Sequence, residues 1–286
     1  YTRESLPVGR EERMIKLIAL DIDGTLVRPD LTISPRVRAA VQAAQERGIV
    51  VTLATGRGAV PTDQFAAELG LTAPLVCMQG AQIYDYRERT VLHETFLPEG
   101  VKEWVVALAV ERDWDLYFES REYVYHTNDF ESVDPVKEIY RLSNRRSIES
   151  FMHDMPDHPH KFLVALRDPA EAEGVMRDLR ESIAGAGFAV DVVASAAYLV
   201  EGLAQGINKS VGLAWLVDQL GIDAADVLTI GDNDNDVEML GWAGMGVAMG
   251  NASARARAVA QWIAPTVHED GAAVAIERFA LQAPPL

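Results

Sequence analysis

The sequence predicts a doubly wound α/β fold on a parallel sheet, from two observations: short unbroken apolar runs that end in polar residues, and capped helical patterns between them. The runs 16–21 (KLIALD), 49–55 (IVVTLAT) and 227–232 (VLTIGD) show no polar alternation. Such runs belong to strands buried on both faces, as in a parallel sheet covered by helices. Segment 34–48 (SPRVRAAVQAAQERG) opens with Ser34 as N-cap and Pro35 at the first helical position, where a missing N–H leaves no bond unmade, and closes with Gly48. Segment 208–221 (NKSVGLAWLVDQLG) is bounded in the same way by Asn208 and Gly221. Strand and helix in alternation, so punctuated, are the pattern of a doubly wound sheet.

The middle of the chain has a different texture. From about 86 to 195 polar and aromatic residues rise, with Pro, His and Asp clustered in HDMPDHPH. KFLVAL and FAVDVVAS read as strands on either side of a helix that begins DPAEAEGVMRDL. The expectation is an inserted α/β unit over 86–195, with the core made from 14–85 and 196–286. Gly202 and Gly206 sit at the join and are expected to act as a hinge. Residues 1–13, polar and ahead of Met14, are expected to be an extension with no catalytic role.

Composition removes several classes of function. The chain has 286 residues, 49% of them hydrophobic, which is enough for a large core and shows no signature of disorder. No window holds the roughly 18 apolar residues of a membrane span. A net charge of −17 argues against nucleic acid and anionic membrane as partners. It also means that an anionic ligand would need local cations: a metal, a lysine, or helix N-termini. The lone cysteine, Cys77, lies in the apolar run LVCM and is expected to pack as a small hydrophobe. A cytoplasmic location follows from that cysteine usage.

Four short motifs carry chemistry. Asp21 and Asp23 stand in DIDGTL directly after the first buried strand. Residues two apart in extended chain face the same way, and ligands of open α/β sheets bind beyond the carboxyl ends of strands. Gly24 lets the chain turn and come close to a ligand. GDNDND (231–236) follows another buried strand with Asp232, Asn235, Asp236 and, nearby, Glu238. Crowded acids repel unless a cation neutralises them, and Mg2+ suits a site of one or two carboxylates plus phosphate. An EF-hand reading fails because the ligand pattern with its central Gly is absent. Thr55, Gly56 and Arg57 (LATGR) offer a hydroxyl, backbone N–H groups and a planar fork of donors, and Lys209 in GINKS offers a point charge at a helix start.

In this order, DIDGTL, LATGR, the Lys of GINKS and GDNDND, the motifs resemble the haloacid dehalogenase superfamily, specifically its Cof-type phosphatases. The likeness covers essentially all of 14–280 and includes VAMGNA (247–252) and EDGAAVAIE (269–277). Two departures stand out: Gln79-Gly80-Ala81 where the family shows Asn-Gly-Ala, and Ala204 to Ser210 where it reads close to PKGVSKG. The resemblance implies a Rossmann-like core with an inserted α/β cap that closes over it and selects the substrate. It implies that Asp21 is the nucleophile, forming an aspartyl-phosphate, and Asp23 the acid and base. Thr55 and Lys209 would bind the transferring phosphoryl oxygens. Ile22, Gly24, Gly56, Arg57 and Asn235 would complete the phosphate site. Mg2+ would be held among Asp21, the carbonyl of Asp23, Asp232 and Asp236, with Asp236 orienting either Lys209 or the metal shell. The implied partner is a small phosphate ester, with no nucleic acid or membrane, for a monomer or homodimer.

A phosphotransferase or mutase would share every motif, and a non-enzymatic phosphate sensor or a dehalogenase would share the fold. Cap aromatics Tyr117, Phe118, Tyr123 and Tyr125 are expected to pack rather than bind, and His126, His153, His158 and His160 to lie on surface loops. HDMPDHPH matches no standard metal spacing.

Overall fold

The computed structural model describes residues 14–121, 123–126, 144–147, 158–196 and 198–282. Its core is a five-stranded parallel sheet in the order β14-β13-β12-β1-β2, made of β1 (Leu17–Leu20), β2 (Val50–Leu53), β12 (Val227–Gly231), β13 (Met245–Ala248) and β14 (Trp262–Ile263). β3 (Leu75–Cys77) joins the β2 edge through a parallel bridge between Ala54 and Val76. It continues into an antiparallel sheet with β4 (Gln82–Asp85) and β5 (Thr90–Glu94).

The side chains of β1 explain why its sequence does not alternate. Ile18 and Leu20 join one apolar cluster, which includes α1 (Pro35–Glu46) and α8 (Gly271–Ile276). Leu17 and Ala19 join another, under α5 (Lys209–Leu220) and α6 (Val237–Trp242). Both faces are dry, so each position must be apolar, and each large buried side chain contributes about 1.5–3 kcal/mol. α1 begins as expected, with Ser34 accepting from the Val37 N–H, and α5 begins at the Asn208 cap and ends at left-handed Gly221. Cys77 is fully buried, and burial pushes its thiol up to about 12, so it is packing material.

The second unit is a six-stranded sheet in the order β10-β11-β9-β6-β7-β8. Its strands are β6 (Asp115–Glu119), β7 (Tyr123–His126), β8 (Asn144–Ser147), β9 (Lys161–Ala165), β10 (Val190–Ala196) and β11 (Leu199–Ala204). All neighbours are antiparallel except β7 and β8. One face is covered by α3 (Val101–Arg112) and α4 (Ala172–Ala186). Polar residues of the other face, Glu119, Lys161 and Glu201, turn to the core. The architecture is the Rossmann-like core with an α/β cap expected from the sequence.

Several local expectations change. The cap sheet runs to Ala204, past residue 195, because β11 pairs with both β10 and β9. Gly202 is therefore a strand residue and not a hinge: a Cβ there would meet the Phe162 ring at 2.2 Å, so glycine makes room for that ring. His126 is buried on β7, and His160 is buried with Nε2 3.1 Å from Glu94 Oε2, so neither is a surface-loop residue. His158 is exposed, and His153, with residues 1–13, lies outside the described residues. Tyr117, Phe118 and Tyr125 are buried in the cap, as packing requires. Among the described residues no helix is long and apolar enough to cross a membrane.

Candidate active site

Strand register builds the site. Leu20 on β1 lies opposite both Leu53 and Ile230, so the three strands end level. The residues that follow, Asp21, Thr55 and Asp232, therefore meet at one edge, where the strand order reverses. Beyond β1 the chain folds tightly, with the Ile22 carbonyl accepting from the N–H groups of Thr25, Leu26 and Val27. Gly24 has φ +79°, and a Cβ there would lie 2.4 Å from Asp232 Oδ2. The glycine thus admits a carboxylate to the turn, which no other residue could do. Thr25 Oγ1 donates to Asp232 Oδ1 at 3.1 Å, and the Asn251 amide donates to Asp232 Oδ2 at 3.1 Å and to the Gly24 carbonyl at 2.9 Å.

Lys209 arrives from the opposite side. It is the first residue of α5, and close backbone packing sets its place: Gly80 has φ +94°, and a Cβ on it would lie 2.2 Å from the Asn208 carbonyl oxygen. Met78 and Gln79 before it are also left-handed (φ 50° and 58°), a cost of roughly 1–2 kcal/mol each that the surrounding structure must offset. The result is an ammonium with no exposure, 2.6 Å from Asp21 Oδ1 and 2.6 Å from Asp236 Oδ1. Asp236 Oδ2 accepts from the N–H groups of Asp232 and Asn233, at 2.8 and 3.0 Å. With both oxygens engaged, Asp236 holds Lys209 and the loop.

Electrostatics at this edge call for a second cation. Ligand atoms of Asp21, Asp232 and Asp236 lie within 4.8 Å of one another. Burial holds Asp21 well above the usual carboxylate range, and Asp236, Asp232 and Asp23 add to the effect against the opposing pull of Lys209. Burial and then Asp236 push Asp232 up to about 7, although the Thr25 hydroxyl and Lys209 act the other way. Burial alone would depress Lys209, but Asp21 and Asp236 outweigh it and keep the ammonium above the ordinary lysine value. One lysine does not neutralise this group of acids. Asp21 and Asp232 offer hard oxygen donors within 4.8 Å of one another, so the residues present fit a metal.

Other expected site residues take up different partners. Arg57 places its fork on Asp23, with Nε 2.7 Å from Oδ2 and Nη2 2.6 Å from Oδ1, so its guanidinium grips the second aspartate. Thr55 is buried, and its Oγ1 accepts from the Arg57 N–H at 3.1 Å. The Gly56 carbonyl accepts from Lys161 of the cap at 2.7 Å. The Asn235 amide donates to Gln79 Oε1 at 3.1 Å, which turns it to the core–cap boundary. Ile22 buries its side chain, leaving only its backbone at the site. A cavity of about 560 Å³ between α4, β10 and the loop after β12 is lined by Gln79, Asn235, Asp234, Arg180 and Phe188, among others. Asp21, Asp23, Thr55 and Lys209 do not line it, so it adjoins the acid cluster without containing it.

Thr25, Asn251, Gln79, Lys161 and Glu201 were not singled out from the sequence for these contacts. Thr25 and Asn251 lie inside DIDGTL and VAMGNA, where the signal was the whole segment. Lys161 and Glu201 lie on ordinary strand patterns and carry no local signal at all.

With the geometry in view, comparison adds relatives. A model of haloacid dehalogenase-like hydrolases matches residues 18–276. The 5-amino-6-(5-phospho-D-ribitylamino)uracil phosphatase YcsE of Bacillus subtilis is 31% identical over 281 residues, spanning 96% of this chain and 100% of its own. The HMP-PP phosphatase of Serratia proteamaculans is 32% identical over 251 residues, 84% of this chain and 85% of its own. A crystal structure of a haloacid dehalogenase-like hydrolase from Bacteroides thetaiotaomicron superposes with a TM-score of 0.80 at 31% identity, covering 92% of this chain and 99% of that one.

Proposed function

This chain belongs to the haloacid dehalogenase-like hydrolases, and on that premise we propose that it is a magnesium-dependent phosphatase acting on a small phosphorylated metabolite through an aspartyl-phosphate. Its curated relatives are phosphatases, and phosphoric monoester hydrolysis is its class of reaction. The observation that carries the finer reading is Lys209 held between Asp21 and Asp236, beside an acid cluster that needs one more cation.

In this reading Asp21 attacks phosphorus, and the bond from phosphorus to the ester oxygen breaks. Asp23 gives its proton to the departing oxygen, then takes one from the water that attacks the phosphoenzyme, returning Asp21 and inorganic phosphate. To carry a proton Asp23 must loosen the Arg57 fork that now occupies both its oxygens. Lys209 and the Thr55 hydroxyl bind the phosphoryl oxygens, and the N–H groups of the turn after β1 complete the cradle. Mg2+, held by the side chains of Asp21 and Asp232 and the Asp23 carbonyl, would neutralise charge on the phosphoryl group as nucleophile and substrate meet. The cap is proposed to set specificity, with the chain passing from core to cap between β5 and α3 and back beyond Ala204. The test is phosphate release from a panel of phosphorylated metabolites, including the ribitylamino-uracil phosphate and HMP-PP, with Mg2+ present and after chelation. Activity undiminished by exhaustive chelation would remove the metal from the proposal.

A pH signature follows from Asp232. Its folded value, about 7, lies above the unfolded one, so its contribution to stability is full at low pH and is lost as pH rises through about 7. A cation needs the ionised form, so its stabilising effect grows over the same interval. In the metal-free protein Tm should fall, on this account, between pH 5 and pH 8. Added Mg2+ should raise Tm little at pH 5 and clearly at pH 8. Equal Mg2+ shifts at both pH values, read by scanning fluorimetry, would contradict Asp232 as a ligand.

A further inference from the structure

We infer that Lys161 of the cap is a positioning residue for phosphoryl transfer: when the cap is closed, its ammonium fixes the 55–57 turn and with it the Thr55 hydroxyl and the Arg57 fork. The inference rests on the phosphatase reading above.

Lys161 begins β9 and is fully enclosed between cap and core. A lysine ammonium has three donors. Glu201 Oε1 lies at 3.2 Å, Glu119 Oε1 at 3.5 Å and the Gly56 carbonyl oxygen at 2.7 Å. The two glutamates belong to the same sheet face. Glu119 is the cross-strand partner of Lys161, and Glu201 lies one same-face step from Leu203, its partner on the other side. They hold the ammonium in place on the cap, and the shortest contact crosses to the core. Burial alone would depress this lysine, but Glu119 and Glu201 outweigh it and keep it charged.

The peptide it grips links two functional groups. A trans peptide is planar, so holding the Gly56 oxygen also sets the Arg57 N–H on the opposite side. That N–H donates to Thr55 Oγ1. Since the oxygen is used as an acceptor there, the hydroxyl hydrogen is left to point at another acceptor, and among the described residues it donates to none. The remaining backbone of Thr55 is held by the core alone, through bonds from its N–H to Val76 and from the Gln79 N–H to its carbonyl. Gly56 is the swivel, because glycine restricts its own backbone least. The Arg57 backbone placed by this peptide carries the fork on Asp23. Closure through Lys161 therefore acts on a phosphoryl donor and on the partner of the proton donor together. Two further bridges, Gln79 to Glu201 at 3.2 Å and Asn233 to the Ser195 carbonyl at 2.9 Å, tie the cap to other core loops. A cap without Lys161 thus still has means to close.

A double-mutant cycle on p-nitrophenyl phosphate tests the assignment. Wild type must release phosphate and Asp21→Asn must not; failure of either condition would point at the reaction itself and not at Lys161. Lys161→Met should lower kcat by about 10- to 100-fold and change KM less than about threefold. Thr55→Val should lower kcat as well, and adding Lys161→Met to it should cost little more. Lys161→Arg, which keeps a charged donor, should recover part of the rate. Because Lys161→Met leaves two buried glutamates facing each other, Lys161→Met with Glu119→Gln is made alongside, and Tm is recorded for each protein. Losses that multiply independently, or a raised KM with unchanged kcat in the better-folded variant, would overturn the inference and leave Lys161 a simple latch.

Discussion

Asp21→Asn should lower kcat by on the order of 10³ or more, about 4 kcal/mol of barrier, without lowering the melting temperature. An amide oxygen is a poor nucleophile, and the two-step route through a phosphoenzyme closes with it. The thermal half of the result follows from the surroundings. Asp21 is held well above the usual carboxylate range by burial and by three neighbouring acids, so near neutral pH its charge is a burden on the fold. A neutral side chain of the same shape relieves that burden, at the expense of one of the two bonds that hold Lys209. The checks are steady-state kinetics beside a thermal melt, and mass spectrometry of the rapidly quenched wild type for an added phosphoryl group. A variant that keeps more than about a tenth of the rate, 1.4 kcal/mol, would dismiss Asp21 as nucleophile.

The second large effect belongs to Lys209. Changing it to Met keeps the length of the side chain and removes the cation from a cluster of three acids. Stability should fall by about 3–5 kcal/mol, because one partner of a buried ion pair has been taken away. The rate should fall by on the order of 10³ if, as proposed, Lys209 is a donor to the phosphoryl oxygens. Pairing Lys209→Met with Asp236→Asn separates the two losses. It should restore much of the melting temperature and none of the activity. Activity that returns with stability would make Lys209 a structural residue alone.

How far the site could be read in advance depends on where its information lies along the chain. Asp21, Thr55 and Asp232 were legible because each follows a strand whose burial on both faces forbids alternation, so the strand end is marked by the first polar residue. For Lys209 the Asn208 cap marks only a helix start, and its place in the site came from the order of the motifs and the family they resemble. Arg57 was placed near the site, but a motif names a residue and does not say which neighbour its fork will choose, here Asp23. Asp236 has two roles open to it in the sequence, and what the sequence does not show is that the N–H groups of Asp232 and Asn233 fill its second oxygen. Gly202 and the end of the cap failed for another reason. Whether a glycine bends a chain or clears space for a ring is decided by a partner in another strand, here Phe162. His160 sits in a polar run, yet it is buried against Phe96 with Glu94 on its Nε2, partners far away in sequence.

The two-faced burial of β1 also bears on how the molecule fluctuates. A strand with apolar clusters on both sides and partners along both edges can exchange its amide hydrogens only when the whole core opens. The cap has its own cluster, and its ties to the catalytic loops are polar contacts, while Leu203 and Val193 of its strands also pack against the core cluster. Loosening the cap breaks those contacts and leaves the pairing of β1 intact. The carboxylate proposed to attack phosphorus thus follows directly on a strand whose amides exchange only when the core opens. The part proposed to select the substrate is the one that can part from the core without opening the parallel sheet.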